Sequence, residues 1–169
     1  ERPVEEILPG DLVLTRDDGP QPVRWAGSRE VDAEGAFAPI HIDAGSFGAH
    51  RQLIVSPEHR VLIRDSHTEL FFGETEVLVA AKDLVDGRNV RRVSGGMVTY
   101  VHLMFDRHQV VISQGLETES FLFGPQTRHS FALGVFQEIC ALFPELDAST
   151  GKGYSATARP TLKGYEATL

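Results

Sequence analysis

Cysteine is almost absent from this chain. The single residue of that type, Cys140, excludes an internal disulfide and leaves no cysteine cluster for a structural zinc. No apolar run is long enough to span a bilayer. Positive charge is also scarce. The 16 Lys and Arg stand against 24 Asp and Glu, a formal net charge of −8, which makes a nucleic-acid phosphate backbone a poor partner. There is no Gly-rich phosphate loop, no HExxH and no GxSxG, so three common catalytic architectures lack their signatures. The opening Glu1-Arg2-Pro3 lacks the pattern of a secretory leader and is expected to be the interior of a longer segment.

What is present reads mainly as strands. Asp11-Leu-Val-Leu-Thr15 lies between the turn signals Pro9-Gly10 and Asp17-Asp18-Gly19-Pro20. Residues 22–25, 39–42, 52–55, 60–63 and 76–79 are further short β-rich runs, and 97–105 and 109–112 follow. Many short runs broken by Gly, Pro and Asp predict an all-β domain. Ala80–Leu84 reads as one helical turn. In residues 131–143, Phe136, Ile139, Cys140 and Phe143 recur on one helical face, and Pro144 ends the helix. On that face Cys140 is expected to be a small buried hydrophobe, not a reactive thiol. The stretch 147–169, rich in Ser, Thr, Gly and Ala, reads as an extended or partly disordered tail.

Histidines are the remaining source of chemistry, and there are seven. His41 lies within a strand, His50 and His67 in polar loops, and His129 ahead of the helix; each is expected to be an ordinary polar residue. No two histidines sit at the close spacing that pre-forms a metal site on one strand or helix turn, and neither metal nor cofactor is expected. Two differ in context. His59 follows Ser56 by three residues at the start of an apolar strand, and His108 follows Asp106 by two at another. Either both clusters are turns satisfied by local hydrogen bonds, or strand pairing brings them together.

Three segments, Glu1–Thr15, Ser56–His59 and Phe105–His108 with Gly115–Phe121, together resemble the Hint (Hedgehog/intein) family, in particular bacterial Hint-domain proteins. Glu1-Arg-Pro-Val-Glu-Glu-Ile-Leu-Pro-Gly-Asp-Leu-Val-Leu-Thr15 is similar to the family's first hairpin. Ser56-Pro57-Glu58-His59 resembles its T-x-x-H block, with serine in place of threonine. Phe105-Asp106-Arg107-His108, continuing through Gly115–Phe121, resembles its C-terminal block. The resemblance implies a Hint β-fold with a pseudo-twofold hairpin arrangement over residues 1–125. A helix packed on it at 126–146 and the tail at 147–169 would follow.

It also implies roles. In Hint domains a Cys or Ser at the first position attacks the peptide bond just before it, with the substrate held in cis. By resemblance, His59 polarises that amide and protonates its nitrogen, Ser56 hydrogen-bonds it, Asp106 tunes the nucleophile, and His108 assists later steps. The four are expected to converge near the N-terminus. The nucleophile is not in this chain and is expected upstream of Glu1, so the chain would be inactive as it stands. Glu119-Ser120 lies where inteins carry His-Asn, and neither side chain supplies the amide that asparagine cyclisation needs. Cleavage or transfer is therefore expected, not splicing, with the chain's own upstream polypeptide and a small nucleophile, water or thiol, as partners. A secreted or cell-surface bacterial setting is implied by the resemblance alone. Two other functions stay open: a catalytically silent Hint-fold binding or scaffold module of a larger secreted protein, and a histidine-dependent metallohydrolase.

Overall fold

The computed structural model describes residues 1–64, 73–127, 132–162 and 164; His67 and His129 lie outside them. Within them the chain is mostly strand, with one α-helix, as the sequence predicts. β1 (Leu12–Thr15) and β2 (Gly19–Pro22) form the first hairpin, with Leu12 opposite Pro22 and Thr15 opposite Gly19. The run 22–25 is not one strand. At Val23 and Arg24 the chain changes partners: the Val23 N–H returns to the Asp11 carbonyl at 2.9 Å, and the Arg24 N–H goes to the Met104 carbonyl at 2.8 Å. From there β3 (Trp25–Asp32) pairs along its whole length with β9 (Met97–Met104) as a two-stranded antiparallel ribbon. The residues of β3 after Trp25 are largely polar, so no local hydrophobic period marks them; the distant partner makes them a strand.

A second sheet joins β4 (Ile40–Ile42) to β5 (Leu53–Val55) and β8 (Val90–Arg92). The largest sheet adds β6 (Arg60–Ile63), β7 (Val77–Ala80), β10 (Val110–Ser113), β11 (Leu116–Glu119) and β12 (Thr161–Leu162), in the order β12-β7-β6-β11-β10-β1-β2. All four residues of β7 are buried, as its unbroken apolar sequence requires of a strand covered on both faces. β12 pairs with it in parallel, so part of the predicted tail closes that edge of the sheet. Residues 81–84 form a short 3-10 turn at the place where one helical turn was expected.

The helix α1 (Leu133–Leu142) has no side-chain cap at its N-terminus. A helix this short is marginal by itself, so packing must hold it. Phe136 and Ile139, with Phe143 just beyond its end, are buried against Trp25, Met104, Phe123 and Leu146, and Cys140 packs half-buried at the margin. Among the described residues no helix is long and apolar enough to cross a membrane.

Gly27 shows how tightly the ribbon is built. A Cβ at this position would lie 2.2 Å from Cζ2 of Trp25, whose indole folds back over its own strand and meets Phe121 at 5.9 Å. Gly27→Ala must displace a core tryptophan and is expected to cost about 1–3 kcal/mol, the usual range for overpacking. Phe136→Ala, which empties the centre of the helix contact, is expected to cost about 3–5 kcal/mol. Urea unfolding of the two variants checks both values.

Candidate functional site

The Ser56–His59 block is a turn between β5 and β6. The His59 N–H bonds the Ser56 carbonyl at 3.1 Å, and Pro57 occupies the second turn position, which its fixed φ suits. The 3-10 turn at 81–84 clamps it from outside: the Lys82 N–H reaches the Pro57 carbonyl at 3.0 Å and the Ala81 N–H the His59 carbonyl at 2.9 Å. Serine and histidine are thus presented by a braced backbone.

The second block is set by a hairpin. Gln114 (φ 55°) and Gly115 (φ 87°) form a two-residue loop with both φ positive, the geometry that suits the right-handed twist of paired strands. It fixes Val110 opposite Glu119 and Thr118 opposite Val111. That register brings His108, just ahead of β10, against Glu119 and Ser120 at the end of β11. His108 is buried. Its Nε2 lies 3.2 Å from Glu119 Oε2 and 3.1 Å from the Ser120 carbonyl, while its Nδ1 accepts the Ala158 N–H at 2.9 Å. A nitrogen that accepts a hydrogen bond carries no proton, so His108 is held as the Nε2–H tautomer.

Glu119 is the junction of the two blocks. Its Oε1 accepts the backbone N–H of Arg60, the residue after His59, at 2.9 Å, and its Oε2 meets the Arg60 guanidinium at 3.1 Å. Burial pushes the carboxyl up. The His108 hydrogen bond, His59 and Arg60 together outweigh that effect, so Glu119 stays below the usual carboxylate range.

Ser56, His59, Arg60 and Glu119 line a cavity of about 540 Å³ whose other walls come from the β3–β9 ribbon, including Tyr100 and His102, and from Phe121. Val4 of the N-terminal segment also lines it; Glu1 is not among its lining residues and pairs with Arg51. His59 Nε2 is buried and has no hydrogen-bond partner among the described residues. Burial lowers the His59 pKa, outweighing the opposing pull of Glu119. Burial also lowers His102, to about 4, with His59 and the Arg29 guanidinium adding to the effect. Its ring lies 5.2 Å from that of Phe121.

Of the four residues singled out in the sequence, Ser56 and His59 reach the cavity and His108 stands directly behind its wall. Asp106 does not join them. The chain bends at Asp106–Arg107, so the side chain, 62% exposed, turns outward and pairs with Arg24. Glu119 and His102 were not singled out as site residues. Glu119 carried one signal, an acid at the end of a β-rich run, but its position opposite core residue Val110 follows from the hairpin register. His102 sits in the middle of a long strand with nothing local to mark it.

Residues 1–125 match the family model described as Hint domain, nearly three quarters of the chain. The chain belongs to the Hint domain family. No curated protein and no solved structure matches it. Ser56, His59, His108 and Glu119 all fall inside the matched span of this Hint domain; of the residues lining its cavity, Gln126 and Thr127 lie just beyond. Among the described residues no group of three or more His, Cys, Asp or Glu is placed to hold a metal ion.

The lowered histidines predict a pH dependence. The unfolded chain takes up protons at His59 and His102 as pH falls through about 6.5, while the folded domain resists them, so folding stability decreases with falling pH. For His102 the decrease runs from about 6.5 to about 4. Thermal unfolding between pH 7 and pH 5 should show a falling Tm, by roughly 2–4 °C for each kcal/mol lost in a chain of this size. His102→Gln should flatten that slope. A Tm that rises toward pH 5 would contradict the assignment of buried neutral rings.

Proposed function

We propose that this Hint domain cleaves or transfers a polypeptide joined to its N-terminal side, through an N-to-S or N-to-O acyl shift in cis. The observation that carries this reading is His59 Nε2, a buried ring nitrogen with no partner among the described residues, on the wall of a cavity that the N-terminal segment reaches through Val4. Leaving such an atom unbonded costs about 1–3 kcal/mol. A scissile amide brought into the cavity would supply the missing partner.

The nucleophile of this reaction is a Cys or Ser ahead of Glu1. Its thiol or hydroxyl gives up a proton and attacks the carbonyl carbon of the bond before it. The C–N bond breaks, the nitrogen departs with a proton, and the upstream segment is left on the side chain as a thioester or ester. His59 suits both proton movements. Neutral near pH 7, it can receive the nucleophile's proton; its lowered pKa then makes the imidazolium a strong acid toward the leaving nitrogen. The ionised Glu119 stabilises that imidazolium while it exists. Ser56 hydrogen-bonds the scissile amide. Asp106, outward and paired with Arg24, touches none of these atoms. Water or a thiol then attacks the acyl carbon, releasing the upstream segment and restoring the nucleophile. Glu119-Ser120 offers no side-chain amide for cyclisation, so the outcome is one-sided.

A fusion in which a folded partner and a Cys precede Glu1 tests this. Dithiothreitol is expected to release the partner. His59→Ala should slow release by about 10²–10⁴-fold, the usual contribution of a general acid. Ser56→Ala should slow it roughly tenfold, as for one hydrogen bond. A gel time course reads all three. A fusion that stays intact under every condition would instead favour a silent Hint-fold module, and undiminished release by His59→Ala would remove His59 from the chemistry.

A further inference from the structure

The segment after α1 lies beyond the family match, yet it supplies two of the hydrogen bonds that hold His108. The Ser155 hydroxyl accepts the His108 backbone N–H at 2.7 Å, and the Ala158 N–H is donated to His108 Nδ1 at 2.9 Å. The segment is anchored on both sides of these contacts. Upstream, Tyr154 donates its hydroxyl to the Phe105 carbonyl at 2.7 Å, and its ring meets Phe143 edge-on at 5.9 Å. Downstream, the Pro160 carbonyl accepts the Leu78 N–H at 2.8 Å, and Thr161–Leu162 continue as β12 beside β7. Between them Arg159 bridges Asp17 at 2.8 Å and Glu76 at 2.7 Å.

We propose that Tyr154–Leu162 is a positioning strap: the Ala158 N–H fixes His108 as its Nε2–H tautomer, and that proton holds the Glu119 carboxylate beside His59. A neutral imidazole has one proton and one free lone pair. With the lone pair of Nδ1 taken by Ala158, the proton must sit on Nε2, where Glu119 Oε2 and the Ser120 carbonyl receive it at 3.2 and 3.1 Å. Without the strap contact nothing holds the Nδ1 side of the ring, and the imidazole can turn so that its Nε2–H leaves these two acceptors. The buried carboxylate would then keep only its Arg60 donors. His59 would lose the steady counter-charge that favours its imidazolium. His108 is thus a positioning residue acting through Glu119, and Ala158 one acting through His108. The effect on rate rests on the processing role proposed for His59; the tautomer does not.

The test uses the full chain with ¹⁵N-labelled histidine. In the parent protein the His108 Nδ1 resonance should fall in the range of a bare imidazole nitrogen and Nε2 in that of a protonated one. Ala158→Pro deletes the N–H and should let the ring turn, so that the Nε2–H bond to Glu119 is lost and its resonance moves. Replacing Ala158 with its α-hydroxy analogue, which makes a backbone ester, deletes the same N–H without a proline ring and serves if the proline variant fails to fold. In the Cys-bearing fusion, loss of this N–H should slow thiol-induced release roughly tenfold, the scale of one hydrogen bond to a charged group. It should also shift the acid limb of the pH–rate profile to lower pH, because the His59 imidazolium is less favoured. An unchanged Nε2–H signature in the ester variant overturns the proposal, as does a lost signature with an unchanged release rate and pH profile. If the parent fusion releases nothing while its His108 Nε2–H signature depends on the Ala158 N–H, the strap stands and the processing role falls.

Discussion

A carboxylate with only 8% of its side chain exposed must find donors or give up its charge, and Glu119 finds them on two separate elements. Arg60 gives it a backbone N–H and a guanidinium; His108 gives it a ring N–H. These bonds tie the turn that carries Ser56 and His59 to the hairpin that carries His108. Breaking one side would leave a buried charge under-satisfied, so the two blocks are held together more strongly than strand pairing alone would hold them. In the β6–β11 ladder, Val61 opposite Thr118 is the paired position that accompanies this link.

The cavity combines the buried carboxylate of Glu119 with two histidines that burial keeps neutral at ordinary pH. His59 Nε2 is buried at the cavity wall and has no hydrogen-bond partner among the described residues. Such an atom is suited to a group that arrives from outside the fold, and the N-terminal segment already reaches the cavity at Val4. Proton transfer there would run through a ring that gives its proton up easily, next to a carboxylate that keeps the charged form from being prohibitively unfavourable.

The outer face of the large sheet is held by another kind of interaction. Glu76 meets Arg16, Arg64 and Arg159, and Glu117 meets Arg16 and Arg64. The residues span the start of the chain, β11, the approach to β7 and the segment ahead of β12. Single exposed pairs contribute little, but a shared, partly buried network of this sort fixes how distant segments meet. Arg159 is the member that brings the late segment into the network, one residue after the N–H that contacts His108.

The sequence by itself determined the class of the fold, the helix face carrying Phe136, Ile139 and Phe143, and the turn that joins Ser56 to His59. Each of these is a local property: short β-rich runs between turn residues, a 3.6-residue period, and a proline suited to its turn position. The order of the blocks also carried the family resemblance. Tertiary structure alone decided that β3 extends to Asp32, because its partner Met97–Met104 lies far along the chain. It decided as well that Asp106 turns outward while His108 turns inward, since a bend breaks the strand alternation that would have aligned them. Glu119 and Ala158 became relevant to the site only through hairpin register and the docking of a late segment. Both depend on contacts between residues distant in sequence, and no local pattern encodes such contacts.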